Sequence, residues 1–220
     1  CQGTVEKGES NMTEKFTVCI GRQYGSGGRE VGQLLAQKLG VTCYDKLLIR
    51  EAARESHLAE SYLEQNEERL TDEILPFSGN PFADMADLSG VFYSAGDKTY
   101  QAEKRAVETI HHRESAVMIG RCASSILRED PNTLSVFLYA KDGNRIARIG
   151  ERNNLSERAA RERVEKVDRM RRHYFNFYSL SEWGKPESYD ILLSTDLGLE
   201  RCAETIAFLL KSKLEGNSHE

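Results

Sequence analysis

The stretch Phe16-Thr17-Val18-Cys19-Ile20-Gly21-Arg22-Gln23-Tyr24-Gly25-Ser26-Gly27-Gly28-Arg29-Glu30 decides how the rest of the chain is read. Its first half is a short, β-branched and apolar run that ends in glycine, the pattern of a parallel strand buried on both faces. Beyond the turn residues, Val31, Leu34, Leu35 and Leu39 recur at helical spacing, and Gly40 supplies a helix stop. Glycines at 25, 27 and 28 let the backbone come close to a ligand. The helix that follows turns unpaired N–H groups and the positive end of its dipole toward an anion. Strand, glycine turn and helix together predict a nest for phosphate, against the plainer reading of a tight turn that only joins two elements.

Outward from this unit, Val41-Thr42-Cys43-Tyr44 reads as a second strand, with Asp45 placed to cap a helix that begins at Leu47. Apolar runs at 116–120, 134–140 and 189–194 read as three more strands. Ala102, Ala106, Val107 and Ile110 mark one intervening helix, and Leu199, Ala203, Ile206, Ala207 and Leu210 line the last one. Strands alternating with helices predict an α/β fold in three layers, a five-stranded parallel sheet covered on both faces. Between the last two strands Ser156 caps a helical region with Ala160, Val164, Val167, Arg171 and Tyr174 on one face and arginines over the rest, either a solvated surface or a lid. The expected layout is a tail at 1–14, one domain at 15–213 and a tail at 214–220. Within the domain, 55–100 is expected as a helical insert on the acceptor side and 142–180 as a basic lid.

A chain of 220 residues suffices for one domain with its own core. The net charge of -5 argues against general nucleic-acid binding. That average conceals an asymmetry: residues 51–114 carry 14 acidic and 6 basic side chains, and residues 141–172 carry 11 basic and 6 acidic ones. No apolar run approaches the roughly 20 residues that a membrane span requires. The five cysteines, Cys1, Cys19, Cys43, Cys122 and Cys202, are widely spaced and form no CxxC pair, which reads as free thiols in a reducing, cytoplasmic compartment. The histidines, including His111-His112, lack metal-ligand spacing.

A standard phosphate loop ends in lysine followed by serine or threonine, the lysine for the transferring phosphate and the hydroxyl for magnesium. Here Gly28 stands in the lysine place, and the residues after it, Arg29 and Glu30, put no hydroxyl on the magnesium side. A dinucleotide fingerprint fits no better, since Glu30 falls where its third glycine belongs, although Asp45 lies at about the distance expected of a ribose contact.

Through IGRQYGSGGREVG, LAQKLGVTCYD, VMIGRCASSIL, RIARIGERNNLSERAA, KVDRMRRHYFNFY and YDILLSTDLGLE, taken in that order from Phe16 to Leu210, the chain resembles the cytidylate kinase-like family. The resemblance implies a phosphate-loop kinase fold with a helical lid, ATP and Mg2+ as cofactors, and phosphoryl transfer to a nucleoside monophosphate or related small molecule. It implies that Gly25, Ser26, Gly27, Gly28 and Arg29 form the ATP loop. Asp45, Arg121 and Asp168 would lie on the acceptor side, with Asp168 there either steadying an arginine or meeting the acceptor, and Arg148 and Arg152 in the closing lid. The family's later acceptor arginine falls near Tyr174, leaving Arg171 or Arg172 as substitutes. Arg29 or Arg22 is left to replace the lysine, and Glu30 either binds magnesium or pairs with one of those two arginines. Cys122 stands where the family has aspartate. These departures keep a second expectation open, a non-catalytic nucleotide-binding or regulatory protein. The chain is expected as a monomer or homodimer; its aromatic segment, Tyr174 to Trp183, either packs the lid helix or forms a contact between copies.

Overall fold

Thr17–Arg22 forms β1, and its neighbours on both sides come from far along the chain. In the computed structural model, which describes residues 15–45 and 99–217, β1 is followed by helix α1 (Gly28–Leu39) and β2 (Thr42–Tyr44). After helix α2 (99–113) come β3 (Ala116–Ile119), the short α3 (Ala123–Ile126) and β4 (Thr133–Tyr139). Helices α4 (Asp142–Asn153) and α5 (Glu157–Tyr178), strand β5 (Ile191–Ser194) and helix α6 (Leu199–Asn217) complete the described chain. The expected tail at 1–14 and the expected insert up to residue 98 lie outside the described residues.

All five strands are parallel, in the order β2-β3-β1-β4-β5. Alternation along β1 sorts the core. Val18 and Ile20 face α1 and α6, where Val31, Leu35, Ile206 and Leu210 fill the layer. Thr17 and Cys19 face the opposite layer, where Ala102, Ala106, Val107 and Ile110 of α2 cover Met118 and Cys19. Both faces of β1 are therefore dry, which is why its sequence is an unbroken apolar run.

The expected lid region is two helices. Asn154, at φ 52°, ends α4, and the Ser156 hydroxyl then caps α5 by accepting the Ala159 N–H at 3.3 Å. Arginine side chains cover much of α5, but Ala160, Val164 and Asp168, four residues apart, turn inward. The aromatic segment packs within the chain: Phe175 is buried with Phe137 and Tyr189, and Trp183 meets Phe137 edge-on at 5.0 Å. At the carboxyl end the expected boundary at 213 falls inside a helix. α6 continues to Asn217 because Leu214, 8% exposed, still has the core to pack against. Only 218–220 of the expected tail lies outside the described residues.

Cys19, Cys122 and Cys202 are buried free thiols, and Cys43 is half-buried. Burial, with Glu103 nearby, pushes the Cys122 thiol up to about 12, and burial beside Asp45 pushes Cys43 up to about 11. Because the thiolate is the reactive form, a Cys1→Ser variant of the native protein should react slowly with Ellman's reagent at pH 8. Unfolding in guanidinium should then release all four thiols at once. Rapid labelling of Cys19 or Cys122 in the native state would contradict this packing.

Candidate functional site

The connections leaving β1 and β3 diverge to opposite faces of the sheet, α1 on one and α3 on the other, which opens a crevice at the carboxyl ends of these adjacent strands. The glycine turn sits there. Gly27, at φ 80°, caps α1 without a side-chain acceptor, and among the described residues nothing accepts the backbone N–H of Gly27, Gly28 or Arg29. Such free donors at the start of a twelve-residue helix suit an anion.

The loop is held in shape from within. Ser26 is fully buried; its hydroxyl donates to the Gln23 carbonyl at 2.9 Å, and its own carbonyl accepts the Thr195 hydroxyl at 2.6 Å. The Ser26 side chain is thus spent on the turn itself, and the loop offers ligands its backbone. At Gly25 the missing side chain makes room for α4, since a Cβ there would lie 2.8 Å from the Arg145 carbonyl.

Helices α4 and α5 lie against this loop. Asp168 accepts the Tyr24 N–H at 2.6 Å and pairs with Arg145 at 2.5 Å, and Arg145 also donates to the Tyr24 carbonyl at 3.2 Å. Arg171 donates to the Arg22 carbonyl at 3.1 Å and lies 5.3 Å over the Tyr24 ring. Arg148 donates to the Gly25 carbonyl, and Arg152 pairs with Glu30. Partial burial works to raise the Glu30 carboxyl, but its backbone hydrogen bond and Arg152 outweigh it and hold the group below the usual carboxylate range. Arg148 and Arg152 therefore reach the loop from one face of α4, as their spacing implied.

On the other wall Gly120, Arg121 and Cys122 all have left-handed backbone, at φ 79°, 56° and 56°. For the two that are not glycine this costs about 1–2 kcal/mol each, strain of the kind that collects at functional turns. The turn delivers Arg121 to the buried Glu103 of α2 at 2.8 Å, and Tyr174 donates to the same carboxylate at 2.8 Å. Burial, reinforced by Glu103, drives the Tyr174 phenol far above its ordinary range. Cys122 packs with Phe137 and Phe175. Arg29, 60% exposed, pairs with Asp45 at 2.6 Å, and Arg172 lies over the Trp183 ring at 5.5 Å.

The structure thus gathers Arg22, Gly25, Ser26, Gly27, Gly28, Arg148, Arg152, Asp168 and Arg171 about the loop. Arg121 stands on the facing wall, the Arg29–Asp45 pair lies at the mouth of α1, and Arg172 is directed to the aromatic layer. Three contributors escape a reading by motif: Glu103, Arg145 and Tyr24. The first two carried a signal. Glu103 shares a helical face with Ala106, Val107 and Ile110, and Arg145 lies one turn from the buried Ile149, so each is a charge on an apolar stripe in need of a partner.

Phosphate fits this arrangement of free amides and arginines. Magnesium finds less: among the described residues no three acidic, histidine or cysteine side chains could hold a metal. Glu30 would have to release Arg152 to serve as a ligand.

No curated protein matches this chain. Among solved structures it is similar to a protein described as uncharacterized from Eubacterium ventriosum, at 25% identity and a TM-score of 0.66, covering 90% of this chain and 99% of that one. Shikimate kinase from Bacteroides thetaiotaomicron, at 12% identity and a TM-score of 0.52, is covered over 98% of its length by 89% of this chain. Shikimate kinase from Acinetobacter baumannii, in complex with shikimate, gives 15% identity and a TM-score of 0.51 over 90% of this chain and 94% of that one. At these identities the two enzymes share the fold, a parallel phosphate-loop kinase sheet with flanking helices. The cytidylate kinase-like family profile matches residues 17–197, through every described strand, the glycine turn and both lid helices, and the chain belongs to that family.

Proposed function

We propose that this protein is an ATP-dependent phosphotransferase whose acceptor is a nucleoside monophosphate or a related small molecule. The observation that supports it most is the set of free N–H groups at Gly27, Gly28 and Arg29, opening on the β1–β3 crevice between arginines from β1, α4 and the turn after β3.

Phosphoryl transfer asks little covalent chemistry of a protein; it asks for alignment and for stabilisation of charge spread over the transferring group. The loop amides hold the donor phosphates. Arg148 and Arg152 supply lid charge, exchanging the Gly25 carbonyl and Glu30 for phosphate oxygens when nucleotide enters. Asp168 and Arg145 act as positioning residues, fixing the Tyr24 peptide so that the amides after it point one way. Arg121, oriented by Glu103 and Tyr174, faces the acceptor side. Magnesium would supply charge neutralisation to the donor phosphates, and Glu30, once released by Arg152, would be the loop carboxylate to hold it. With α4 and α5 packed over the loop, water is kept from the donor phosphates. No helix among the described residues is long and apolar enough to cross a membrane, and the buried free thiols suit a cytoplasmic setting.

Purified protein should convert ATP to ADP only when a suitable acceptor is present, and a panel of nucleoside monophosphates and small alcohols read by coupled assay decides it. A panel without turnover would remove the catalytic reading and leave nucleotide binding alone. Arg152→Ala, an exposed site, should lower kcat by about ten-fold or more while leaving the Tm within a few degrees. Arg121→Ala should behave otherwise. Removing the Arg121 cation from Glu103, 1% exposed, should cost roughly 3–5 kcal/mol of stability in chemical denaturation. An Arg121→Ala protein as stable as the parent would show that Glu103 does not depend on it.

A further inference from the structure

We infer that Arg22 is the cation that takes the terminal phosphates of a nucleoside triphosphate, and that Gly28 is glycine because the stem of Arg22 occupies the space in which a lysine would begin. The inference rests on the phosphate-loop reading above and names the residue that does the missing lysine's work.

Alternation along β1 places Arg22 on the same face as Val18 and Ile20, the face covered by α1. At the end of the strand, Arg22 therefore emerges beneath the first turn of that helix. A Cβ built on Gly28 would lie 2.7 Å from Arg22 Cβ and 3.0 Å from its Cγ. Gly28 is not among the residues with positive φ, so its backbone conformation would accept any side chain. What excludes one is the Arg22 stem. Farther along, a Cβ on Gly120 would lie 2.1 Å from Arg22 Nη1 and 3.1 Å from Cζ. The side chain thus spans the crevice, with its stem at the mouth of α1 and its guanidinium at the end of β3.

Its electrostatics call for an anion. Burial, then the like charges of Arg171 and Arg121, push the Arg22 guanidinium well below its ordinary range, and Asp45 and Tyr189 offset this only in part. Among the described residues Arg22 forms no ion pair, whereas Arg29, the other arginine able to replace the lysine, is exposed and paired with Asp45. A phosphate between Arg22, Arg121 and the loop amides would neutralise the crowded charge, and guanidinium binds phosphate through two parallel hydrogen bonds. Lysine on α1 and arginine on β1 are two ways of bringing one positive charge to the same point, and the crevice has room for only one of them.

The test uses the full chain with MgATP, inorganic tripolyphosphate and adenosine, titrated by calorimetry, and the Tm of each variant without ligand. Arg22→Met keeps the stem and removes the charge. It should weaken MgATP and tripolyphosphate by about ten-fold or more, leave adenosine unchanged, and leave the ligand-free Tm equal or higher, because a crowded, partly buried charge is gone. Gly28→Lys alone should lower both Tm and affinity through the clash. The double variant Arg22→Gly/Gly28→Lys, which clears the Cβ as well as the stem, should recover both relative to Gly28→Lys. Tripolyphosphate binding by Arg22→Met at the parent's affinity would overturn this inference and leave the phosphate-loop reading standing, as would a double variant no better than Gly28→Lys. Failure of the parent to bind either polyanion would overturn both.

Discussion

One residue, Tyr24, is clasped by both of its backbone groups, and the working end of the molecule takes its shape from that clasp. Asp168 holds the N–H and Arg145 the carbonyl, while the two side chains hold each other at 2.5 Å. Desolvating a carboxylate and a guanidinium is costly, and their attraction offsets it only where the remaining hydrogen-bonding positions are also filled. Here the Tyr24 backbone and Asp142 fill most of them, while the buried Arg145 Nε has no partner among the described residues. Moving the loop would strip the pair of its backbone partners and expose charge between α4 and α5. The hydrophobic contacts of Tyr24 with Ile146, Ile149 and Val164 reinforce the same docking.

Glycine in the turn thereby acquires several distinct causes. Gly27 needs a left-handed backbone to start α1. Gly25 yields its space to the backbone of α4, and Gly28 yields its own to Arg22. A run that looks uniform along the chain is one left-handed helix start and two close approaches, by α4 and by Arg22. It binds its own protein as much as any ligand, and the orphan amides are what remain for an anion.

The sheet was legible because burial on both faces writes strands as plain apolar runs; all five fall within about two residues of where periodicity placed them. Helix ends were legible where local chemistry makes them, at Gly40 and at Ser156. The site was legible as a set of residues and much less as a set of partners. Glu30, expected to bind magnesium or to pair with Arg22 or Arg29, meets Arg152; Asp168, expected to steady an arginine or meet the acceptor, pairs with Arg145 and also takes the Tyr24 amide. Which arginine meets which carboxylate depends on how α4 and α5 dock on the loop, and docking has no period along a sequence. Alternation along β1 did hold the information that separates Arg22 from Arg29, since only Arg22 continues the face of Val18 and Ile20.

The order β2-β3-β1-β4-β5 also bears on how the chain comes to be folded. Strand β1 is made before both of its ladder partners, which begin at Ala116 and Thr133, so its two edges stay open until those segments have been synthesised. Non-local parallel pairing of this kind is slow and leaves nascent hydrophobic strands to chaperones meanwhile. Once assembly is complete the hazard is small, because the outermost strands are only three and four residues long and give a neighbouring molecule little to zip onto.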